Sequence, residues 1–381
     1  MRIAVFSAYC YPHKGGVERY VYEIYRRLAE QGIEVDIVTC NTDHAPPEEL
    51  YDGLKVYRLD CWHLLGETYP IPKINRNSIR ILRLLNKNVY SFINTQTRFF
   101  VISLIGFLYG KARRIPVIHT EHGTQHSYLS RRLFQYLSKV YDHTAGYLVT
   151  KYSDYQVAIS EASGEFSRHL GCKTYIKVYN GIDSHKLVRR STELRSRLGI
   201  PPGDIVITFV GRLIEAKGVQ DLIVSFNEVC RQYKAKMLIV GKGNYELPLR
   251  EQAEGNLDIW FLGEKTEKEI IEYLSITDIF VNPSYSEGLP TSVLEAASCG
   301  CAIVATDVGG TREIIHDGKN GILFPPRNLE ALTHSIQTLM ENKHLRAAYG
   351  ERARETVESK YDWDVIVSYY VSFLRTIAVS P

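Results

Sequence analysis

Apolar and polar positions change period twice within the first forty residues, and each change marks an element. Residues 2–8 (RIAVFSA) form a short apolar run ending at Pro12, Gly15 and Gly16, which predicts a strand entering a turn. Val17, Val21, Ile24 and Leu28 then recur at helical spacing, Gly32 stops the helix, and EVDIVTC (34–40) resumes as a strand. A strand, a helix and a strand in that order make a βαβ unit, which implies a parallel sheet. The alternation continues through VYSFINT (89–95), a helix over about 98–113, IPVIHT (115–120), YQVAIS (155–160) and YIKVY (175–179). The pattern restarts with IVITFVG (205–211), a helix from Gly218, KMLIVG (236–241), DIWFLG (258–263), DIFVNP (278–283) and CAIVAT (301–306). Helices dominate to the end, and in the last one Val365, Tyr369, Phe373 and Ile377 line an apolar face that needs cover.

Two α/β domains are therefore expected, as the length of 381 residues also suggests, because single cores stop growing near about 250–300 residues. With 45% hydrophobic and 23% charged residues, the composition is that of an ordinary globular chain. The seven cysteines are odd in number and free of C-x-x-C spacing, so they read as reduced thiols rather than a disulfide framework or zinc site. MRIAVFSAYC lacks the regions of a signal peptide, and the longest apolar stretch, Phe99 to Tyr109, is far short of a membrane span. A cytoplasmic protein is expected. Charge is uneven: residues 1–180 carry 23 Lys+Arg against 16 Asp+Glu, and the remainder 23 against 27. Thr68 to Thr120 holds nine basic residues and no acidic one, which calls for an anionic partner. Within it Arg76, Arg80, Arg83 and Lys87 fall at i, i+4, i+7 and i+11, with Ile81, Leu84 and Leu85 beside them, the pattern of an interfacial helix at an anionic membrane surface. The plain alternative is a solvated basic face on a helix whose other side joins the core.

Four segments carry candidate chemistry. In Ser286-Glu287-Gly288-Leu289-Pro290-Thr291 and onward to Gly300, Pro290 suits the first helical position and Gly300 the stop, so a helix N-terminus should face the carboxyl edge of the sheet. Glu287 and Glu295, two carboxylates beside such an anion site, suit the hydroxyls of sugar and ribose; the alternative is a cap with one solvated acid. In Gly211-Arg212-Leu213-Ile214-Glu215-Ala216-Lys217-Gly218, two cations after a strand can neutralise a diphosphate leaving group without a metal. Gly309-Gly310-Thr311 and Gly15-Gly16 open loops at the same kind of edge. His119, His122 and His126 lie on a strand end and loop without the helical spacing of zinc proteases, so no metal is expected, and His119 and His126 read as structural. Asp362-Trp363-Asp364 reads as a helix start rather than a metal motif, and Gly241-Lys242-Gly243 lacks the third glycine of a dinucleotide fingerprint.

Together these segments resemble glycosyltransferase family 4, retaining enzymes of the GT-B fold. The shared motifs span nearly the whole chain: G-G-V-E-R at Gly15, His122-Gly123, Asn180-Gly181-Ile182-Asp183, G-R-L-x-x-x-K-G at Gly211, E-G-L-P-T-S-V-L-E-A at Glu287, G-G-T-R-E-I-I at Gly309, and Asn320-Gly321. The resemblance implies two Rossmann-like domains facing a central cleft: residues 1–183 with about 361–381 for the acceptor, and 184–360 for the nucleotide sugar, the C-terminal helix crossing back to the first. It implies that Arg212 and Lys217 hold the donor diphosphate, Glu295 the ribose and Glu287 a sugar hydroxyl. Backbone from Gly288 through Leu289, Pro290 and Thr291 would close over sugar and phosphate, Gly211 would serve the turn, Gly16 would touch phosphate, and His122 would be the first domain's active-site histidine.

The expected activity is transfer of a hexose or N-acetylhexosamine from a nucleotide-diphosphate sugar, UDP-sugar favoured and GDP-sugar possible, to a glycan or lipid-linked acceptor in cell-surface polysaccharide or glycolipid synthesis. No cofactor, divalent metal or nucleic acid is expected. A sugar-nucleotide epimerase, a phosphorylase or a non-catalytic sugar-nucleotide-binding protein of the same fold are the competing readings.

Overall fold

The computed structural model describes residues 1–11, 13, 15–64, 69–126, 132–184 and 192–379; Pro12, read as part of the first turn, lies outside them. The chain divides into two compact units, Met1–Asn180 with Trp363–Pro381, and Gly181–Asp362.

In the first unit, strand β1 (Arg2–Phe6) leads to helix α1 (Gly16–Glu30), then β2 (Glu34–Cys40), β3 (Glu48–Tyr51), β4 (Leu54–Leu59), β5 (Cys61–Leu64), β6 (Tyr69–Pro72) and α2 (Arg76–Leu85). The chain continues through β7 (Phe92–Gln96), α3 (Val101–Arg113), β8 (Val117–Glu121), α4 (Arg132–Tyr141), a π-helical turn (Asp142–Gly146), α5 (Tyr147–Tyr152), β9 (Tyr155–Ala158), α6 (Glu161–His169) and β10 (Ile176–Lys177). The eight-stranded sheet runs β10-β9-β8-β7-β1-β2-β4-β3 and is parallel except for the edge strand β3. The central strands β1, β7 and β8 are buried on both faces; β1 reads as a near-continuous apolar run, whereas β7 and β8 also bury polar side chains toward their carboxyl ends.

The second unit runs α7 (Thr192–Arg197), β11 (Ile205–Val210), a 3₁₀ turn (Glu215–Lys217), α8 (Val219–Val229), β12 (Ala235–Val240), α9 (Glu246–Gln252), β13 (Ile259–Gly263), α10 (Glu267–Ser275) and β14 (Ile279–Asn282). It ends with α11 (Thr291–Ser298), β15 (Ala302–Thr306), α12 (Thr311–Ile314), β16 (Ile322–Phe324), α13 (Leu329–Glu341) and α14 (Lys343–Lys360). Its six strands are all parallel, in the order β13-β12-β11-β14-β15-β16. The core joins Phe209, Val219, Phe226, Met237, Ile239 and Val281 from sheet and α8 to Leu332 and Ile336 from α13.

Helix α15 (Trp363–Val379) belongs to the first unit and packs on α1. Its buried face is not the one expected. Val365 and Tyr369 are about half exposed, whereas Trp363, Ile366, Val367, Tyr370, Val371 and Leu374 are buried. Arg27 of α1 lies over the Trp363 ring at 5.5 Å, and the Tyr25 and Tyr370 hydroxyls meet at 3.5 Å. At roughly 1.5–3 kcal/mol for each large apolar side chain buried, this face holds the helix to the unit. Asp362, just before the helix, accepts hydrogen bonds from the N–H and hydroxyl of Ser184 within the second unit.

Candidate active site

In the second unit β11 pairs with β12 on one side and β14 on the other. The chain order reverses there, so the loops leaving β11 and β14 part and leave a crevice at the carboxyl edge of the sheet, where such folds bind ligands. Lys217 comes from the first loop and Glu287 from the second. Their Nζ and Oε1 atoms are 2.6 Å apart, with side chains 21% and 9% exposed. Asn282, at the end of β14, donates to the same carboxylate oxygen at 3.4 Å.

Backbone contacts tie these loops together. Gly218 has φ +67°, and a Cβ there would fall 2.1 Å from the Pro283 carbonyl oxygen; at Gly309, with φ +52°, it would fall 1.8 Å from the Glu287 carbonyl oxygen. Only glycine fits either place. Gly310 N–H donates to the Gly288 carbonyl at 2.8 Å, so the third loop holds the second. Tyr285, unremarked in the sequence, is the clasp between the first two. Its N–H donates to Ala216 O, its hydroxyl donates to Asp221 and accepts from Gln220, each at 2.8 Å, and the Arg327 guanidinium covers its ring at 3.9 Å. Burial and Asp221 push the phenol up to about 12, so it stays a donor.

Pro290 is the N-cap of α11 rather than its first helical residue, and Gly300, with φ +74°, ends the helix as expected. Val293 and Leu294 N–H groups bond back to Pro290 O, so those of Thr291 and Ser292 precede the first intrahelical bond and are the groups an anion would meet. Glu295 and Leu289 are buried, Gly288 and Thr291 half-buried, and Gly211 half-buried beside an exposed Arg212.

The first unit reverses order between β1 and β7. Gly16 opens α1 above β1, and a Cβ there would meet open space. At Gly15 it would strike the Glu18 carboxylate at 2.2 Å, so that glycine makes room for an acid in the helix's first turn. His122 follows β8. Its Nε2 is 2.7 Å from the Gln96 Oε1, its ring meets Tyr20 edge-on at 4.9 Å, and burial pulls its pKa down to about 4. Since Gln96 Oε1 only accepts, Nε2 carries the proton and the imidazole is neutral.

Behind His122 lies a buried charge network that the sequence reading did not see. Glu121 accepts from the His122 and Gly123 N–H groups at 2.9 and 2.7 Å and pairs with Arg98 at 2.9 Å. Burial alone would raise its carboxyl, but Arg98, His119 and the Gly123 N–H hold it well below the usual range. Arg98 also pairs with Asp142 at 3.1 Å and stacks over Phe166 at 4.3 Å. His119 is buried with Nδ1 2.8 Å from the Thr95 hydroxyl, a structural histidine as expected.

This network corrects the reading of the acid-free stretch. Arg98 is buried and neutralised, Lys111 pairs with Asp154 at 2.8 Å, and Arg80 pairs with Glu48, all with acids from outside the stretch. The interfacial helix is corrected as well. Helix α2 ends at Leu85, so Lys87 lies beyond it, and Ile81 and Leu85 point into the core rather than beside the cations. Arg76, Arg80, Arg83 and Lys87 remain exposed.

Two Rossmann-like units, the second with a lysine–carboxylate pair at its switch point beside a helix N-terminus, define a transferase of the GT-B class. The model for Glycosyltransferase Family 4 matches residues 14–186, and that for Glycosyl transferases group 1 matches residues 190–356. An uncharacterized glycosyltransferase of Methanocaldococcus jannaschii is 32% identical over 97% of this chain and 97% of its own. Among solved structures, sucrose-phosphate synthase from Thermosynechococcus elongatus superposes with TM-score 0.81 at 21% identity, covering 99% of this chain and 98% of its own. Anabaena HepE in complex with UDP-glucose gives TM-score 0.78 at 20% identity, covering 99% and 100%. The chain belongs to the family 4 glycosyltransferases.

Proposed function

We propose that this glycosyltransferase is retaining and metal-independent, and moves a hexose or N-acetylhexosamine from a UDP-sugar, with GDP-sugar the second donor to try, to a glycan or lipid-linked acceptor. The observation that carries the reading is the Lys217–Glu287 pair at the switch point. A cation set there meets the charge that builds on a diphosphate as the sugar leaves, the task a metal performs elsewhere. HepE binds UDP-glucose in a similar fold, which supports a uridine donor. In the reaction we infer, the bond from the anomeric carbon to the diphosphate oxygen breaks with its electron pair going to the phosphate. The acceptor oxygen then bonds the same face of that carbon and gives its proton to the departing phosphate. Lys217 and Arg212 balance the diphosphate, Glu287 holds a sugar hydroxyl, Glu295 takes the ribose, and the N–H groups from Gly288 to Thr291 close over the phosphate. Neutral His122, its Nε2–H held by Gln96, would accept from a donor-sugar hydroxyl at Nδ1 without adding charge. Gly16 would supply a phosphate contact.

The exposed cations of α2 and Lys87 support a peripheral site on an anionic cytoplasmic leaflet, chiefly by charge, since Ile81 and Leu85 are in the core and Leu84 is half-buried, with Arg80 shared with Glu48. The test is a panel of nucleotide sugars with and without sugar and lipid-linked acceptors, in excess chelator, reading nucleoside diphosphate release and the anomeric coupling of the product. Acceptor-dependent release with retained configuration is expected. Conversion of the donor without acceptor would mark an epimerase, and activity only after adding divalent ions would overturn metal independence.

A further inference from the structure

Three histidines from separate elements converge on the surface of the first unit. His126 lies in the loop after β8, His143 in the π-helical turn and His169 at the end of α6. One ring nitrogen from each lies within 4.8 Å of the other two, and the ring centroids are 5.2, 5.9 and 6.1 Å apart. From this we propose that His126, His143 and His169 bind a divalent transition-metal ion of the zinc class, separate from the transfer chemistry.

The argument rests on how His126 is held. Its Nδ1 is 2.7 Å from Asp142 Oδ2, and a carboxylate only accepts, so Nδ1 carries a proton and Nε2 is the nitrogen left to meet a metal ion. Asp142 is itself fixed, because its two oxygens lie 3.1 and 3.2 Å from the Arg98 guanidinium. A carboxylate bonded to the far nitrogen of a liganding imidazole is the outer support that orients such ligands and raises their basicity. His143 and His169 are exposed, so their rings can turn. A tetrahedral ion with bonds of about 2.0–2.1 Å needs its nitrogens about 3.3 Å apart, so the two exposed rings would have to turn inward on binding. Three imidazoles favour zinc, copper or nickel over the hard ions magnesium and calcium, and leave a fourth position for water. The bound ion would tie His126 to the π turn and α6, with Asp142 linking the site to Arg98.

Untagged, metal-stripped protein titrated with Zn2+ against a chromogenic chelating indicator tests this. Wild type should bind one equivalent, and His143→Asn/His169→Asn should bind at least 100-fold more weakly, since loss of an outer partner alone costs about 10–100-fold. Co2+ in place of Zn2+ should give a visible absorption band in wild type that the double variant lacks, and excess Mg2+ should not compete. Circular dichroism of both metal-free proteins checks folding, which surface substitutions leave intact; His143→Asn alone serves if the double variant misfolds. Equal Zn2+ affinity in wild type and variant, or no stoichiometric binding by wild type, overturns the site.

Discussion

Lys217→Ala separates the two jobs the Lys217–Glu287 pair can have. If the lysine serves transfer, its ammonium meets the diphosphate charge, and losing one preorganised electrostatic contact costs about 10²–10³ in turnover, or about 3–4 kcal/mol of barrier. If it only neutralises Glu287, the loss is one of stability. With Glu287 only 9% exposed and bonded at 2.6 Å, removing Lys217 takes the neutralising cation from a nearly buried carboxylate that keeps its Asn282 hydrogen bond. Breaking a fully buried pair costs about 3–5 kcal/mol. Lys217 is 21% exposed, so water enters its place and the cost should fall to about 1–3 kcal/mol.

Glu287→Gln removes the charge that Lys217 neutralised, so the two jobs respond differently to the double substitution. Thermal melts should show Lys217→Ala lowering the melting temperature and Lys217→Ala/Glu287→Gln recovering part of it. Turnover, measured by release of nucleoside diphosphate at saturating donor, should stay down in both. Recovery of turnover in step with stability would refute the catalytic assignment of Lys217, and an unchanged rate in the single variant would remove it from the site.

Glu295→Ala should weaken binding of the free nucleoside diphosphate while leaving turnover at saturation within a few-fold, because a ribose contact is made equally before and during bond breaking; calorimetry showing unchanged affinity would exclude the role. For His122 the folded pKa of about 4 lies below the unfolded value of about 6.5, so the native state binds fewer protons between them. Its contribution, about 1–3 kcal/mol for a half-buried ring, is present above pH 6.5 and lost as pH falls toward 4; urea unfolding of His122→Asn should show a shallower pH slope in that window, and an identical slope would contradict it. Changing Arg76, Arg80, Arg83 and Lys87 to Gln should abolish cosedimentation with anionic vesicles at about 1 kcal/mol per charge, with wild-type binding falling as salt rises; equally poor binding of both proteins would direct the acceptor search to soluble sugars.

The parallel architecture was readable because strands buried on both faces leave unbroken apolar runs, as residues 3–6 (IAVF) do. The β3–β4 hairpin, absent from the expected elements, carries its signal in the chain. Asp52 and Gly53 have φ of +47° and +79°, the two positive values a two-residue hairpin turn requires, and Asp-Gly is its usual sequence. The face of α15 was misplaced for a different reason. Apolar residues surround most of that helix, so a four-residue period fits Val365 and Tyr369 as well as Ile366, Tyr370 and Leu374; only the surface of α1 decides. The loops of the second unit were legible as motifs because glycines where a Cβ would strike backbone cannot be replaced. What joins them, through Tyr285, Asp221 and Gln220, leaves no spacing to read.

The charge reading shows why a local excess in sequence need not be a surface field. Arg98 follows β7 and Glu121 ends β8, neighbouring parallel strands whose carboxyl ends the sheet brings together although 23 residues separate them in the chain. A guanidinium removed from water must be paired on several sides, and this one has Glu121, Asp142 and the Phe166 face. Glu121 in turn fixes the His122 and Gly123 N–H groups. So a buried arginine of the basic stretch is the one that sets the loop bearing His122, and its positive charge acts on the position of that imidazole rather than on an anionic partner.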